Sequence, residues 1–305
     1  MKETCGFIAI VGPTNSGKST LLNALLGKKV SIVSAKVQTT YHGINGILNS
    51  DQGQMIFTDT PGYQKHSDSV AQLLNQVADQ KAAGCDAILW VFDVSGKRVF
   101  EQILSLKSKI MQLKEPEKSF CVLNKVDKIN KTELLPLIHS IWELGVFKEA
   151  IPISAQRVNG LERVVKSVNE VLPEGKSLYP KDRVSDRSPE FHLAEFIREK
   201  IYRLTHQEIP YASWIEIEQS ESKEAALENG KKVPTIRAVI HVDSDSKKGI
   251  LIGKKGQMLK RIGVEARKEI EKFLGNQICL KLHVQVQRKW KEDPRFINRY
   301  LELGQ

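Results

Sequence analysis

A glycine-rich octapeptide, residues 12–19, has the residue types and spacing of a phosphate-binding loop, G-x-x-x-x-G-K-S. The apolar run 7–11 before it predicts a strand and residues 20–26 after it predict a helix, as such a loop requires. Its glycines let backbone N–H groups surround a phosphate chain, toward which the helix points its positive end. We expect Lys18 to reach the β- and γ-phosphates and Ser19 to ligate Mg²⁺. The predicted phosphate-binding residues are Gly12, Pro13, Thr14, Asn15, Ser16, Gly17, Lys18 and Ser19.

A second motif, Asp59-Thr60-Pro61-Gly62, follows the predicted strand 54–58. A carboxylate at the end of a strand suits a Mg²⁺-linked water, and the glycine suits a contact with a γ-phosphate. The pattern D-x-x-G alone is most often a turn, but downstream of a phosphate-binding loop it predicts part of a nucleotide site. We therefore expect Asp59 to join Ser19 at the metal.

A third motif, Asn124-Lys125-Val126-Asp127, follows the predicted buried strand 119–123 and has the pattern N-K-x-D. The Asp127 carboxylate can accept two hydrogen bonds from guanine N1–H and N2–H₂, a donor pair that adenine lacks. A carboxylate left unpaired by the wrong base makes discrimination large. We expect Lys125 to lie along the base and Asn124 to tie this segment to the phosphate loop, so the sequence predicts a guanine site.

The elements that must position these motifs alternate between strands and helices. Apolar runs predict strands at 87–93, 119–123 and 150–153, and helical periodicity predicts helices at 69–83, 98–113, 132–144 and 160–171. This order predicts an α/β fold with a doubly wound, mainly parallel sheet whose carboxyl-end loops bind the ligand. The last strand precedes Ser154-Ala155, whose backbone N–H groups we expect at guanine O6.

Charge is distributed unevenly along the 305 residues, whose net charge is +10 and whose isoelectric point is about 9.3. Residues 1–175 carry +3 and residues 176–305 carry +7, while the segment 247–291 alone carries +10. A basic concentration of this kind indicates a polyanionic partner for the second half, although a solvated lysine-rich face is the plainer alternative.

The remaining bulk features indicate a cytosolic protein. The four cysteines show neither metal-ligand spacing nor a disulfide framework, so we expect reduced packing residues. No apolar run approaches the roughly 20 residues that span a bilayer, and the N-terminus lacks a signal-peptide pattern.

The second half predicts a separate domain. A Pro-rich, charged stretch at 174–190 is the predicted linker between a nucleotide-binding domain at 1–173 and a smaller domain at 191–290, with a tail at 291–305. Periodicity within the smaller domain gives the order helix–strand–strand–helix–helix–strand. The tail either extends an RNA surface or packs as a terminal helix.

The segment Ile252-Gly253-Lys254-Lys255-Gly256 lies between the two predicted adjacent helices. I-G-x-x-G at such a corner is the RNA-gripping loop of KH modules, where glycines admit a nucleic-acid backbone and basic residues meet its phosphates. G-x-x-G alone is common at helix corners, but the surrounding α+β order and the basic segment favour RNA. The predicted RNA-binding residues are Ile252, Gly253, Lys254, Lys255, Gly256, Lys260 and Arg261.

With these residues in hand, the chain resembles the Era family of bacterial ribosome-assembly GTPases over nearly its whole length. The resemblance rests on GPTNSGKS, QTT, DTPG, NKVD and SA together with the late IGKKG. It implies a P-loop G domain followed by a type II KH domain, GTP hydrolysis with Mg²⁺, and binding of the 3′ end of 16S rRNA in the 30S subunit. It also implies a monomer in the cytoplasm that partly associates with the inner face of the membrane.

Details of the site follow from the same resemblance. It implies that Thr39 or Thr40 is a further Mg²⁺ ligand, but Tyr41 replaces the family's usual Arg, so the choice between the two stays open. Ras-like GTPases position the attacking water with a glutamine after D-x-x-G, where this chain has Tyr63, so we expect slow intrinsic turnover. Related glutamine-lacking GTPases hold K⁺ at the position of Asn15. We thus expect Lys18 and Asn15 to be catalytic. The expected contacts that follow Asp59 are Thr60, Pro61, Gly62 and Tyr63.

Three function classes compete. The first is a GTPase switch acting on ribosomal RNA, with a tRNA-modifying GTPase as a variant that lacks a visible modification module. The second is an RNA-binding adaptor whose guanine nucleotide is structural and rarely hydrolysed. The third is a small-molecule P-loop kinase, against which N-K-V-D and the KH-like half both argue.

Overall fold

The computed structural model describes residues 3–33, 44–63, 69–96, 98–205, 209, 213–218, 224–226 and 232–288. The chain divides into two compact units, Met1–Asp186 and Arg187–Gln305. Most of the predicted linker lies along the first unit: the Ile47 N–H donates to the Val184 carbonyl at 2.9 Å, and the Asn45 N–H donates to Asp186 Oδ1 at 3.0 Å. The domain boundaries predicted at 173, 190 and 290 stay predictions.

The first unit contains a six-stranded sheet in the order β2-β3-β1-β4-β5-β6, in which only β2 runs antiparallel to its neighbour. The strands are β1 (Thr4–Val11), β2 (Ile44–Ser50), β3 (Gly53–Asp59), β4 (Ala87–Asp93), β5 (Ser119–Asn124) and β6 (Glu149–Pro152). The helices are α1 (Lys18–Leu26), α2 (Ser69–Ala83), α3 (Val99–Leu113), α4 (Lys131–Glu143) and α5 (Leu161–Asn169). The predicted doubly wound, mainly parallel sheet is confirmed.

Strand β4 shows why this sheet is covered on both faces. Its sequence AILWVFD is continuously apolar, as expected of a parallel strand buried on both sides. Leu89 and Val91 pack into a core with residues of α1 and α5, whereas Trp90 and Phe92 pack into a second core with residues of α2, α3 and α4. Burial on both faces leaves the carboxyl ends of the strands as the place where polar loops can meet a ligand.

The second unit is an α+β arrangement around a smaller sheet in the order β10-β9-β7, with β8 also paired to β9. Its elements are α6 (Pro189–Leu204), β7 (Ser213–Glu218), β8 (Glu224–Ala226), β9 (Lys232–Val242), α7 (Asp245–Ile252), α8 (Gln257–Leu274) and β10 (Cys279–Val286). The predicted order omitted β8, which at three residues is too short to show alternation. None of the helices in the described ranges is long and apolar enough to cross a membrane.

Helix α6 buries more than the predicted apolar stripe. Ser188 caps it by accepting from the Phe191 N–H at 3.2 Å, with Pro189 in the first turn. Four of its charged residues, at 195 and 198–200, are also buried, and Lys200 Nζ lies 2.8 Å from Glu199 Oε2 and 3.7 Å from Glu269 Oε1 on α8. A buried charge that loses its partner is strongly destabilising, so the contact of Lys200 with Glu269 ties α6 to α8.

Candidate functional site

The phosphate loop, residues 12–19, connects the end of β1 to the start of α1. Gly12, Asn15 and Gly17 have φ angles of 143°, 62° and 96°, which bend the backbone into a concave turn that most side chains would strain. A Cβ on Gly12 would lie 2.2 Å from the Val91 carbonyl oxygen, so this position excludes any larger residue. A left-handed backbone turn that leads into a helix N-terminus fits a phosphate chain.

The Lys18 ammonium lies across this loop. Its Nζ donates to the carbonyl oxygens of Gly12 at 3.2 Å and Pro13 at 2.9 Å. Burial lowers the pKa of Lys18 to about 8, although the nearby Asp59 charge works in the opposite direction. A phosphate anion placed here would favour the charged form, so the lysine is poised to bind one.

Ser19 and Asp59, the predicted Mg²⁺ ligands, lie together at one edge of the site. The Ser19 hydroxyl donates to Asp59 Oδ2 at 2.8 Å, and Asp59 is fully buried at the end of β3. A hydroxyl beside a carboxylate is an oxygen donor set that suits Mg²⁺. A second hydroxyl, that of Ser31, also donates to Asp59 Oδ2, at 2.9 Å, which the sequence did not indicate. Thr39 and Thr40 lie outside the described residues.

The residues after Asp59 brace the phosphate loop mainly through the backbone. The buried Thr60 hydroxyl donates to the Ile10 carbonyl at 2.8 Å. The Tyr63 N–H donates to the Gly12 carbonyl at 3.0 Å, and Thr14 N–H donates to the Tyr63 carbonyl at 3.3 Å. Pro61 and Gly62 connect these contacts, and a Cβ on Gly62 would approach Lys18 Nζ to 2.9 Å.

The Tyr63 side chain points into the core of the first unit. Its ring stacks on Trp90 with centroids 5.8 Å apart, and its hydroxyl donates to Asp79 Oδ1 at 2.7 Å. Lys109 Nζ lies 4.8 Å from the ring centroid. Burial, reinforced by the hydrogen bond to Asp79, raises the pKa of Tyr63 far above its ordinary value. Tyr63 was predicted to contact the nucleotide. Only its backbone lies at the phosphate loop, because its hydroxyl binds Asp79 in the core.

Asn124 and Lys125 join the predicted base-reading segment, residues 124–127, to the phosphate loop. Asn124 Nδ2 donates to the Ser16 carbonyl at 2.9 Å, as predicted from the sequence. Lys125 Nζ donates to the Asn15 carbonyl at 2.8 Å and to the Asp93 carboxylate. Asp93 was missed by sequence reasoning, although its place at the end of β4, beside β5, is a signal that could have found it.

Asp127 lines a cleft of about 340 Å³ together with Gly17, Asn124 and Lys125. Its Oδ1 accepts from the Ser154 hydroxyl at 2.6 Å, and its Oδ2 lies 3.8 Å from Arg157 Nε. The Ser154 hydrogen bond, with the Arg157 and Lys128 charges, lowers the pKa of Asp127 from its ordinary value. The carboxylate is thus ionised and ready to accept hydrogen bonds. Val126 N–H donates to the Ile153 carbonyl at 3.2 Å.

The backbone of Ser154 and Ala155 differs from expectation. The Ser154 N–H donates to the Asn159 carbonyl at 3.0 Å, and the Ala155 N–H donates to Asn124 Oδ1 at 3.1 Å. Both groups that were predicted to meet guanine O6 therefore have acceptors within the protein: a tight turn between 154 and 159 supplies the acceptor for the Ser154 N–H, and the Asn124 side chain supplies the other. A base could reach the Ala155 N–H only in competition with Asn124, whereas the Ser154 side chain holds Asp127.

The basic corner, residues 253–256, joins α7 to α8 in the second unit. Gly253, Lys255 and Gly256 have φ angles of 70°, 51° and 76°, and a Cβ on Gly253 would lie 2.7 Å from Met258 Cβ. The exposed residues of the predicted RNA surface are Lys254, Lys255, Lys260 and Arg261. Arg261 Nε contacts Glu265 Oε1 at 3.3 Å, and Ile252 packs partly against the core. The corner thus presents positive charge around a backbone turn.

Comparisons with known proteins match both units of the chain. A family model described as a 50S ribosome-binding GTPase matches residues 7–125, and a KH domain model matches residues 208–291. The chain is 42% identical to GTPase Era of Syntrophus aciditrophicus, covering 97% of this chain and 94% of the relative. It is 42% identical to GTPase Era of Trichlorobacter lovleyi, covering 98% and 97%.

The chain belongs to the Era family of GTPases. Two solved Era structures match it with 37% identity over 97% of this chain and 98% of theirs. One is an Aquifex aeolicus Era variant bound to GDP·AlF₄⁻, with a TM-score of 0.81. The other is Era in complex with MgGDPNP and nucleotides 1506–1542 of 16S ribosomal RNA, with a TM-score of 0.80. The resemblance, the fold class and the GTPase activity predicted for this Era family member are confirmed.

Proposed function

We propose that the protein is a nucleotide-controlled switch that hydrolyses GTP in its first unit and binds single-stranded ribosomal RNA through its KH unit. The RNA is the 3′ end of 16S rRNA, and the process is assembly of the small ribosomal subunit. One observation carries this proposal: Asp127 and Gly17 of the phosphate loop line a single cleft. The solved Era complex with MgGDPNP and 16S rRNA supports the same ligands.

The proposed binding of GTP and Mg²⁺ is distributed over five segments. Backbone N–H groups of the phosphate loop surround the phosphates, and Lys18 neutralises their charge. Ser19 and Asp59 hold Mg²⁺, together with Thr39 or Thr40, and the bound ion supplies charge neutralisation between the β- and γ-phosphates. The proposed nucleotide contacts beyond the loop are Asp59, Thr60, Pro61, Gly62, the Tyr63 backbone, Asn124, Lys125, Val126, Asp127, Ser154 and Ala155.

Turnover is slow without an activator, because Tyr63 occupies the position of a water-orienting glutamine and its hydroxyl binds Asp79 in the core. Asn15 is held within the phosphate loop by its left-handed backbone and by Lys125, whose Nζ donates to the Asn15 carbonyl. We propose that the Asn15 side chain holds K⁺ there and that K⁺ accelerates hydrolysis relative to Na⁺. The test is turnover in both salts: Asn15→Ala should abolish the difference, and equal native rates would reject a K⁺ site.

RNA binding depends on charge at the basic corner. The side chains of Lys254 and Lys255 are exposed and, in the part of the chain that the structure describes, make neither a hydrogen bond nor an ion pair. They can contact phosphates, so that counterions are released and affinity falls as salt rises. Lys260 and Arg261 lie on the next turn of α8 and extend the same surface. Because base contacts need splayed bases, single-stranded RNA binds better than duplex.

Location and assembly state form part of the same proposal. The protein acts as a monomer in the cytoplasm, where the 30S subunit is assembled, with a peripheral fraction at the inner face of the membrane. Co-sedimentation with vesicles that contain anionic lipid tests for this membrane-bound fraction. If no protein co-sediments at low salt, the proposal of membrane association is rejected.

The decisive test of the proposed function is multiple-turnover phosphate release with and without an RNA of the 16S 3′-end sequence. A switch gives sustained release that RNA modulates, whereas an adaptor with a structural nucleotide gives at most one phosphate per protein. Coupling between the ligands must be reciprocal, so GTP should raise RNA affinity by the factor by which RNA raises GTP affinity. A native protein that binds ATP as tightly as GTP would overturn the guanine assignment.

A further inference from the structure

The start of the segment that follows α1 is held by one side chain of that helix. Asn23 Oδ1 accepts from the N–H groups of Val30 at 2.8 Å and Ser31 at 2.9 Å, and Asn23 Nδ2 donates to the Ser31 carbonyl at 2.7 Å. These three hydrogen bonds use both polar atoms of the amide. They fix the backbone of residues 30–31 against α1.

The fixed backbone places the Ser31 hydroxyl at Asp59. Ser31 is 1% exposed, and its Oγ donates to Asp59 Oδ2 at 2.9 Å. The same oxygen accepts from Ser19 Oγ at 2.8 Å. Ser19 and Asn23 are four residues apart on α1, so they lie on one face of that helix. The contacts therefore close a circuit from Ser19 through Asp59 and Ser31 to Asn23 and back along α1.

A buried carboxylate can rotate about its side-chain bonds unless its oxygens are held, and a metal site loses affinity when outer hydrogen bonds are removed. We infer that Asn23 and Ser31 are positioning residues that orient Asp59, and through it Ser19, for Mg²⁺ binding. The inference rests on the proposed function, because it assumes that Ser19 and Asp59 hold the metal. It adds to the proposed metal site two residues that belong to none of the motifs at 12–19, 59–63, 124–127 and 154–155.

The circuit also couples metal binding to the chain that follows. Residues 31–33 are the last described positions before residues 34–43, which contain Thr39 and Thr40. Holding residues 30–31 fixes the chain that leads from α1 toward that segment, whichever threonine is the metal ligand. Asn23 thus acts on the metal edge from one helical turn beyond Ser19.

The experiment measures release of fluorescent mant-GDP from the full-length protein in Mg²⁺ and, separately, in EDTA. Asn23→Ala and Ser31→Ala should each accelerate release about tenfold in Mg²⁺ and leave the EDTA rate unchanged. The double variant should release no faster than the quicker single variant, because both substitutions break one circuit. Ser119→Ala is the matched control, since it removes another fully buried hydroxyl, one without a hydrogen-bond partner among the described residues.

Equal acceleration in Mg²⁺ and EDTA would show that Asn23 and Ser31 only support the fold of the nucleotide site, and unchanged release in Mg²⁺ would remove them from it altogether. Either result overturns the inference. Asp59→Asn serves as the benchmark: native release by this variant in Mg²⁺ would show that the proposed metal assignment itself is wrong. A strong Asp59→Asn effect with native Ser31→Ala behaviour would reject the positioning role alone.

Discussion

The phosphate loop and the basic corner are both glycine-containing backbone turns for which we propose negatively charged ligands, but their surroundings differ. The phosphate loop is fixed by contacts from distant parts of the first unit, including Asn124, Lys125 and Tyr63. The basic corner is fixed mainly by local hydrogen bonds, from the Gly253 N–H to the Gly249 carbonyl at 2.8 Å and from the Gly256 N–H to the Gly253 carbonyl at 3.2 Å. A small ligand needs preformed geometry, whereas an RNA strand can adapt to exposed charges, and the two surroundings match those needs.

The largest expected contrast lies between two glycines with similar backbone. A Cβ on Gly17 would lie 2.2 Å from Asn124 Nδ2, whereas a Cβ on Gly256 would meet no atom within 4 Å. Gly17→Ala should therefore weaken GTP binding about 100-fold or more, because the strain of a left-handed alanine adds to displacement of Asn124. Gly256→Ala should lower RNA affinity by less than about tenfold. Titrations of each variant with both ligands measure the contrast, and equal losses would break it.

Guanine recognition sharpens the picture of a preformed site. Asp127→Asn replaces one acceptor of the guanine N1–H and N2–H₂ pair by a donor, so GTP should bind roughly 100-fold more weakly while xanthosine triphosphate binds better. Competition against mant-GDP gives both affinities. A proportionate loss for both nucleotides would mean that Asp127 supports the loop and does not read the base.

Proton uptake tests how strongly the phosphate loop encloses Lys18. Its pKa of about 8 in the ligand-free protein lies below the ordinary 10.5, so bound phosphates should return a proton to it. Calorimetric titration with GDP near pH 8.5, in buffers of different ionisation enthalpy, should show uptake of a fraction of a proton. Lys18→Met should abolish that uptake, and a buffer-independent enthalpy for the native protein would contradict an enclosed lysine.

The same shift sets the sign of a stability effect. Between pH 8 and 10.5 the unfolded chain binds more protons at Lys18 than the ligand-free native protein does. The contribution of Lys18 to the unfolding free energy therefore becomes more favourable as pH rises through that window. Native protein and Lys18→Met, compared by denaturant unfolding across the window, isolate this contribution.

The smallest expected effect concerns the Tyr63 hydroxyl. Tyr63→Phe removes its 2.7 Å hydrogen bond to Asp79 but keeps the ring on Trp90 and the backbone contacts to the phosphate loop. Turnover should stay near native, and the free energy of unfolding should fall by about 1 kcal/mol. Phosphate release and denaturant unfolding measure the two quantities. Lost turnover in a stably folded variant would give the hydroxyl a catalytic role.

Much of the nucleotide site could be predicted because each motif directly follows a buried strand. Continuous apolar runs fixed the strands, and parallel packing brings their carboxyl ends together, so Asn124 lies near the phosphate loop as expected. The directions of side chains after a turn could not be predicted. Tyr63 follows Pro61-Gly62, and only the folded backbone shows that its ring points to Trp90.

Contacts between segments far apart in sequence could not be predicted from the sequence either. The hydrogen bond from Ser31 to Asp59 depends on the path of the chain after α1. The periodicity of apolar residues gives no information about that path. In the second unit, an apolar stripe predicted α6 but could not indicate that Lys200 is buried with Glu199. Pairing of charges is decided by packing against other elements, whereas periodicity reports only one face.

The most direct test of the central contrast is RNA titration of native and Lys254→Asp/Lys255→Asp protein, each with GDP and with a non-hydrolysable GTP analogue. Two attractive charges at the exposed corner become repulsive, while the separately folded nucleotide site is untouched. We predict that the double variant loses RNA binding and that the affinity of the native protein for RNA falls steeply with salt. Both proteins should bind the GTP analogue equally well. Unchanged RNA binding by the double variant would contradict this account.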